Sequence, residues 1–415
     1  MDQTSPREET LTLPQKPARM AMTVLGLCFA LAVLGRGLSE SFTVFLKPIS
    51  ASFGWDRAAV VSVYSLTWLA SGLTAPLVGR VFDRSGPRTV YSLGVLLLGA
   101  AFMIATHAQH LWQLQLSVGL CVGFGAALIG NVPNSILLGR WFGPRLPTAM
   151  AVVYSAMGGG VLVLLPTSQL LIDHVGWRGA YQIFGIIVLA LLVPLSLLPW
   201  RRFAAGAPHV MKRVEEDHID EGWTLLSAIH HHAFWALFST FFFTSIGMYA
   251  ISAQIVAYLI DAGFPPLQAA TAWGFSGVVL LFGMLGVTSL DGLIGRRPSV
   301  LISYAISILG IVLLWLIQFY PSYWLLTAFV ITFGSMIGSR GPLISATAIK
   351  FFRGRRVGTI FGTISIGSGL GSALGSWSGG LLHDFTHSYN QLIVFSLINV
   401  VLGMLPFLVV PALRR

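Results

Sequence analysis

Charged side chains are scarce in this sequence. Only 10% of its 415 residues are Asp, Glu, Lys or Arg, where a soluble domain carries about 25%. With 55% hydrophobic residues and a mean hydropathy of +0.78, most of the chain has to sit in lipid rather than water. Cysteine is scarcer still. Cys28 and Cys121 are the whole complement and both lie inside apolar runs, which excludes a disulfide framework. None of the four lysines (Lys16, Lys47, Lys212, Lys350) follows a glycine. There is therefore no phosphate-binding G-x-x-x-x-G-K-[ST] loop, and ATP coupling in this chain is excluded. No nucleophile, base and orienting group stand at a recognisable spacing, nor does a metal-ligand set, so neither an enzyme nor a cofactor is expected. The net charge of +10 is not gathered into a basic domain with aromatic platforms, which removes nucleic acid as a partner. The polar first nineteen residues lack the apolar core and cleavage site of a signal peptide and read as a retained cytoplasmic tail.

What the sequence has is apolar length. A spanning helix needs about 20 apolar residues, and twelve runs supply them: 20–46, 58–80, 89–107, 112–137, 147–171 and 178–200, then 234–260, 267–290, 299–319, 323–349, 358–382 and 390–411. A polar stretch, 201–233, divides them into two sets of six. The expected fold is an all-α membrane protein of twelve transmembrane helices in two pseudo-symmetric six-helix halves. Its organisation reads as a cytoplasmic tail (1–19), an N-terminal half (20–200), a cytoplasmic central loop (201–233), a C-terminal half (234–411) and a cytoplasmic end (412–415). Positive charge collects on the cytoplasmic side. With the N-terminus inside, 20 of the 25 Lys and Arg fall on cytoplasmic segments and only Lys47, Arg57 and Arg178 on outer ones. Both termini are thus expected in the cytoplasm, and the lipid is expected to be a bacterial inner membrane.

The halves repeat at an offset of about 210 residues. Arg140-Trp141-Phe142 with Arg145 after the fourth run matches Lys350-Phe351-Phe352 with Arg355 after the tenth, and Gly86-Pro87-Arg88 matches Gly295-Arg296-Arg297. Such a repeat sets a pseudo-twofold axis along the membrane normal and places a substrate site near the midplane between the halves.

The segment after the second run reads Gly79-Arg80-Val81-Phe82-Asp83-Arg84-Ser85-Gly86-Pro87-Arg88. It resembles the loop signature G-x-x-x-D-R-x-G-x-R of the major facilitator superfamily, at the same place between helices 2 and 3. The resemblance implies the major facilitator fold and secondary transport by alternating access, with one monomer as the working unit. Asp83, close to a helix N-terminus and paired with an arginine, would latch the cytoplasmic side in one state. Gly79, Asp83, Arg84, Gly86 and Arg88 are the candidate latch, against the plainer reading of a charged loop that only sets topology. The copy after the eighth run is degraded: Asp291 is one residue out of frame and Gly292 stands at the aligned acid.

Four stretches are similar to bacterial relatives of the monocarboxylate porter and oxalate/formate antiporter group. They are Ser41-Phe42-Thr43-Val44-Phe45-Leu46 with Phe53-Gly54-Trp55 and Arg57; Arg140-Trp141-Phe142 with Arg145; Ser339-Arg340-Gly341-Pro342-Leu343; and Asp384-Phe385-Thr386 with Ser388-Tyr389. An organic anion is the substrate this implies. A drug exporter of the same fold is the rival. The helix 5 run G-x-x-x-G-P-x-x-G-G and the helix 4 arginine of such exporters have no counterpart at Tyr154 to Gly160 or at Gly119.

An ionisable residue at the bilayer centre costs at least about 2.5 to 3.5 kcal/mol, so each one kept is a functional candidate. Arg36 lies about 24 Å along its helix from Met20, at 1.5 Å per residue. Glu40 follows at i+4 on the same face. The two can simply neutralise each other, or Glu40 can take up a proton and free Arg36 for an anion. In the family the position of Glu40 is often a lysine implicated in coupling. Arg340 lies about 15 Å from Lys350, just before Gly341-Pro342, which loosens the helix. Its guanidinium can hold a carboxylate with two parallel donors or anchor a neighbouring helix. It is the expected principal anion-binding residue, with Arg36 as the second and Glu40 as the proton carrier. The helix 8 arginine usual in monocarboxylate carriers is here Met284. Either Arg36 and Arg340 take over the anion, or the substrate is another small organic solute, such as a vitamin or drug, moved in or out. The run His230-His231-His232 reads as interfacial, and Gly367, Gly371, Gly375 and Gly379 read as a close-packing seam.

Overall fold

The computed structural model describes residues 15–142, 146–207, 223–352 and 357–410. Among them every regular element is a helix, and each of the twelve apolar runs falls in helix apart from local breaks. The N-terminal half holds α1 (Gln15–Phe53), α2 (Arg57–Ala105), α3 (Leu111–Leu114), α4 (Val122–Ile129), α5 (Asn131–Phe142), α6 (Leu146–Ala190), α7 (Leu192–Leu197) and α8 (Trp200–Ala205). After the central stretch come α9 (Leu225–Ile229), α10 (His232–Ser252), α11 (Ile255–Asp261), α12 (Pro266–Ile294), α13 (Arg296–Ile317), α14 (Tyr323–Phe329), α15 (Gly341–Phe351), α16 (Val357–Thr386) and α17 (Asn390–Val409). Eight stretches of the described residues are long and apolar enough to cross a membrane. One of these, Ala149–Leu197, is two helices divided at Gly176 (φ 71°, ψ 169°).

The internal repeat is visible in the backbone. α2 breaks at Gly86 (φ 74°, ψ 172°), and α12 gives way to α13 at Gly295 (φ 87°, ψ 166°). A side chain at such a φ clashes with its own backbone, so glycine occupies both turns. The fourth and tenth runs each carry a π-helical segment, Gln115–Cys121 and Val330–Gly334. Each then breaks shortly before a proline: at Gly130 ahead of Pro133, and at residues 337–340 ahead of Pro342. Proline removes a backbone donor, and π-bulges mark places where a helix has been bent for use.

Burial runs opposite to that of a soluble protein. Leu197, Leu293 and Trp324 are 79%, 80% and 86% exposed, while Asn134, Ser303 and Ser307 are fully buried. Lipid tolerates the first set, and the second must find partners inside the bundle. The halves meet where α2 packs on α16, α6 on α12, and α1 on α11. At the α6–α12 crossing Gly158 and Gly277 face each other. A methyl added at either would lie about 2 Å from the other's carbonyl oxygen, at 1.9 Å and 2.2 Å. Gly371, Gly375 and Gly379 let α16 approach the Phe242, Ile246 and Ala250 carbonyls of α10 in the same way, so the small-residue seam is a packing device. His231 accepts a hydrogen bond from the Ala233 N–H as the cap of α10, in keeping with an end-of-helix role.

Candidate functional site

α1 presents Arg36 and Glu40 one turn apart, and the pair closes: Arg36 Nη2 lies 2.7 Å from Glu40 Oε1. α2 contributes two aromatic residues at the same spacing. The Tyr64 hydroxyl donates to Glu40 Oε2 at 2.6 Å, and the Trp68 ring lies 4.5 Å from the Arg36 guanidinium carbon. From the other half, α10 brings Tyr249, whose hydroxyl accepts from Arg36 Nη2 at 3.0 Å and whose ring meets Trp68 edge-on at 4.8 Å. Glu40 is 4% exposed. Among the described residues it is the only carboxylate paired with Arg36. A pair of charges this far from water persists only because each has further partners, and breaking it by removing one side costs about 3–5 kcal/mol.

The pair opens onto a small cavity between the halves. Arg36, Glu40 and Gly158 line it from one side, and Ser252, Trp273 and Gly277 from the other. Its volume of about 20 Å³ holds one water molecule rather than an organic solute. Two buried polar atoms at this place have no hydrogen-bond partner, Ser252 Oγ on the cavity wall and Trp68 Nε1 on the ring over Arg36. Orphaned buried donors call for an explanation such as a water or a ligand.

Arg340 lies elsewhere. It sits at the break before α15, is 4% exposed, and is not among the residues lining that cavity. Its Nε donates to Ser303 Oγ at 2.9 Å and its Nη2 to the Ser303 carbonyl at 2.7 Å; a further bond reaches Ser307 Oγ. The Tyr304 ring lies 4.0 Å from its guanidinium carbon. Tyr304 is itself tied to the Gly403 carbonyl at 2.9 Å and to Thr244 at 2.6 Å. Arg340 thus pins the broken tenth run to α13 inside the C-terminal half, and its Nη1 has no partner. The structure does not bring the two arginines together. Met284 lies against the same break, close to Gly338.

Of the candidate latch, Gly79 and Gly86 have open space around them and the Arg84 and Arg88 side chains are exposed. The side chain of Asp83 lies outside the described residues. In the second copy, out-of-frame Asp291 still reaches Arg296, at 3.6 Å.

A second cluster joins the halves at the end of the bundle where α1 finishes and α2 begins. Asp261, closing α11, receives Lys47 Nζ at 2.5 Å, Arg57 Nη2 at 2.6 Å and the Tyr389 hydroxyl at 2.6 Å. Arg57 Nη1 also donates to the Tyr389 oxygen. Burial pushes the Tyr389 phenol above the ordinary tyrosine range, so it stays a neutral donor. Asp384, near the end of α16, accepts the backbone N–H groups of Arg57 at 3.1 Å and Ala58 at 2.5 Å. A carboxylate on the first two N–H groups of a helix is a charge-assisted cap. The sequence had marked Arg57, Asp384 and Tyr389 as carriers of a resemblance and assigned them no role. Lys47 and Asp261 carried no local signal beyond being charged at the ends of apolar runs.

Comparisons with known proteins agree with this architecture. The Major Facilitator Superfamily model matches residues 25–376. An uncharacterized MFS-type transporter of Bacillus subtilis, YcxA, is 25% identical over 400 residues, covering 94% of this chain and 96% of that protein. Monocarboxylate transporter 3 of Rattus norvegicus is 29% identical over 77% of this chain and 65% of its own length. Monocarboxylate transporter 4 of the same species is 26% identical over 89% and 78%. In fold, the chain superposes with a TM-score of 0.70 on a bacterial homolog of the human lysosomal transporter Spinster, in an inward-facing and occupied conformation. That match has 15% identity and covers 95% and 97% of the two chains. The chain belongs to the Major Facilitator Superfamily; it is a multi-pass membrane transporter and not an enzyme.

Proposed function

We propose that this member of the superfamily carries a small monocarboxylate-like anion inward by proton symport, with Arg36 as the anion-binding residue and Glu40 as the proton carrier. The observation that carries the reading is the closed Arg36–Glu40 pair at a cavity between the halves. While Glu40 is ionised, it occupies the guanidinium. A proton on Glu40 cancels that attraction and releases the Arg36 Nη2 that holds the carboxylate at 2.7 Å, where a substrate carboxylate takes the place of the lost one. Proton and anion then favour each other's binding by the same factor, which is what symport requires. The loaded site has the same net charge as the empty one, so reorientation moves no additional charge through the low-dielectric bundle.

Arg340 enters this reading as a support: it holds the tenth run in its broken form, so that Ile337 lines the cavity beside Leu280. The Lys47, Arg57, Asp261 and Asp384 cluster serves as the outer gate, and the Asp83 segment with Arg84 and Arg88 as the inner latch. Charge reversal at Asp83 is expected to cut transport with membrane abundance unchanged. The site of action in this reading is a bacterial inner membrane, with a monomer as the transport unit and both termini in the cytoplasm.

Uptake of radiolabelled organic acids into proteoliposomes under an imposed inward proton gradient tests it. Acid accumulation that collapses with a protonophore is expected. Equal uptake with the gradient abolished rejects the symport. A thermal-shift screen across acids, vitamins and drugs in which only uncharged compounds or cations bind rejects the anion.

A further inference from the structure

Outside the gate there is a second cavity, of about 440 Å³, lined by Leu46, Lys47, Ser50, Ala51, Arg57 and Asp261. This lies within the size range of small-molecule sites. Its wall carries two cations and one carboxylate, because Asp384 is turned away onto the backbone of Arg57 and Ala58. The cations are within reach of solvent: the Lys47 side chain is 31% exposed and that of Arg57 18%. The cavity also lies on the route to the centre. Lys47 is seven residues beyond Glu40 on α1, which places it on the same helix face about 10 Å farther out.

We infer that this outer cavity is a loading site for the carboxylate group of the substrate, where the incoming anion competes with Asp261 for Lys47 and Arg57. The inference rests on the anion reading above. It adds a consequence: Lys47, Arg57 and Asp261 hold the outer gate shut, so an anion that displaces Asp261 loosens the gate as it binds. Recruitment and opening become one event. A neutral solute occupying the same space leaves the gate closed.

The scarcity of lysine makes this measurable. Lys16, Lys212 and Lys350 lie on segments assigned to the cytoplasm, which leaves Lys47 as the outward lysine. Right-side-out vesicles of zwitterionic lipid are treated with a membrane-impermeant acylating reagent, and labelling of Lys47 is followed by peptide mass mapping. Propionate and benzoate are compared with propionamide and benzamide at matched ionic strength. The carboxylates are expected to slow labelling about tenfold at ten times their half-protecting concentration, as mass action requires, and the amides to leave it unchanged. Protection is expected to persist in Arg36→Gln, whose central site cannot hold the anion. In Asp261→Asn the half-protecting concentration should fall about two- to fivefold, the worth of a part-exposed ion pair.

Equal labelling with acid and amide overturns the inference. So does protection that vanishes in Arg36→Gln, since the central site then accounts for it, and the anion carrier stands. Lys47 that is protected only when anionic lipid is present, without added acid, is bound to a headgroup, and the inference falls. Protection that persists in Arg36→Gln while uptake is insensitive to that change upholds the outer site and rejects Arg36 as the anion residue.

Discussion

Arg36 and Arg340 meet the same one-dimensional criterion, an arginine inside an apolar run near the midplane, yet the bundle treats them differently. Arg36 is held by an acid and two aromatic residues at the interface of the halves. Arg340 is held by two serine hydroxyls, a carbonyl and a tyrosine ring within one half. A titratable partner can release its guanidinium when it is protonated; hydroxyls and carbonyls cannot. In the proposed reading the first arrangement is a switch and the second a strut. A charge in lipid is therefore evidence of function only once its partner is known.

The largest effect is expected at the switch. Arg36→Gln should lower kcat/KM for acid uptake at least about 30-fold, the lower bound for truncating one side of a buried, hydrogen-bonded charge pair. Arg340→Leu leaves Ser303 and Ser307 without their donor, and the expected loss is in stability, about 1–3 kcal/mol, read as a lower melting temperature in detergent with the apparent KM of folded protein little changed. If Arg340→Lys raises KM and Arg36→Lys does not, the comparison is reversed and Arg340 is the anion residue.

Next comes coupling. Glu40→Gln retains the acceptor for Tyr64 but carries no titratable group, so acid exchange should continue while pH-driven accumulation falls to the level seen with the gradient collapsed. In the wild type, uptake should rise as the outer pH falls, as symport of a proton with the anion requires. A pH profile unchanged by Glu40→Gln would place the proton elsewhere.

The smallest effect is expected at the gate. Asp384→Asn weakens the cap on α2 without removing an ion pair to Lys47 or Arg57. A cysteine introduced as Ser252→Cys, in a chain with Cys28 and Cys121 replaced by serine, should react with an external thiol reagent about two- to fivefold faster, matching a helix-terminus charge effect of up to about 1 kcal/mol. No change in rate would show that Asp384 caps a helix and does not gate.

Much of this was readable from composition and spacing. The lipid-facing character of the chain, its all-helical fold and the turns at Gly86 and Gly295 follow from apolar length and residue type. The Arg36–Glu40 pair follows from a spacing of four. Tyr64, Trp68 and Tyr249 around that pair did not, nor did the cavity-facing Ser252. Serine, tyrosine and tryptophan are common in apolar runs and look alike whether they line a cavity or fill a seam. The placement of Arg340 was equally hidden, because Ser303 and Ser307 lie more than thirty residues away on another helix.

By itself the sequence determined which residues enter the membrane and where helices turn, since transfer into lipid and backbone strain are properties of a short window of chain. Only the tertiary structure decided what surrounds the Arg36–Glu40 pair and which charges meet across helices, as Lys47 and Arg57 meet Asp261. That depends on which helix faces abut, and those faces are set by contacts such as Gly158 against Gly277, made between segments more than a hundred residues apart. The energy of an ion pair is a function of distance and surroundings, and for partners on different helices neither exists until those helices have packed.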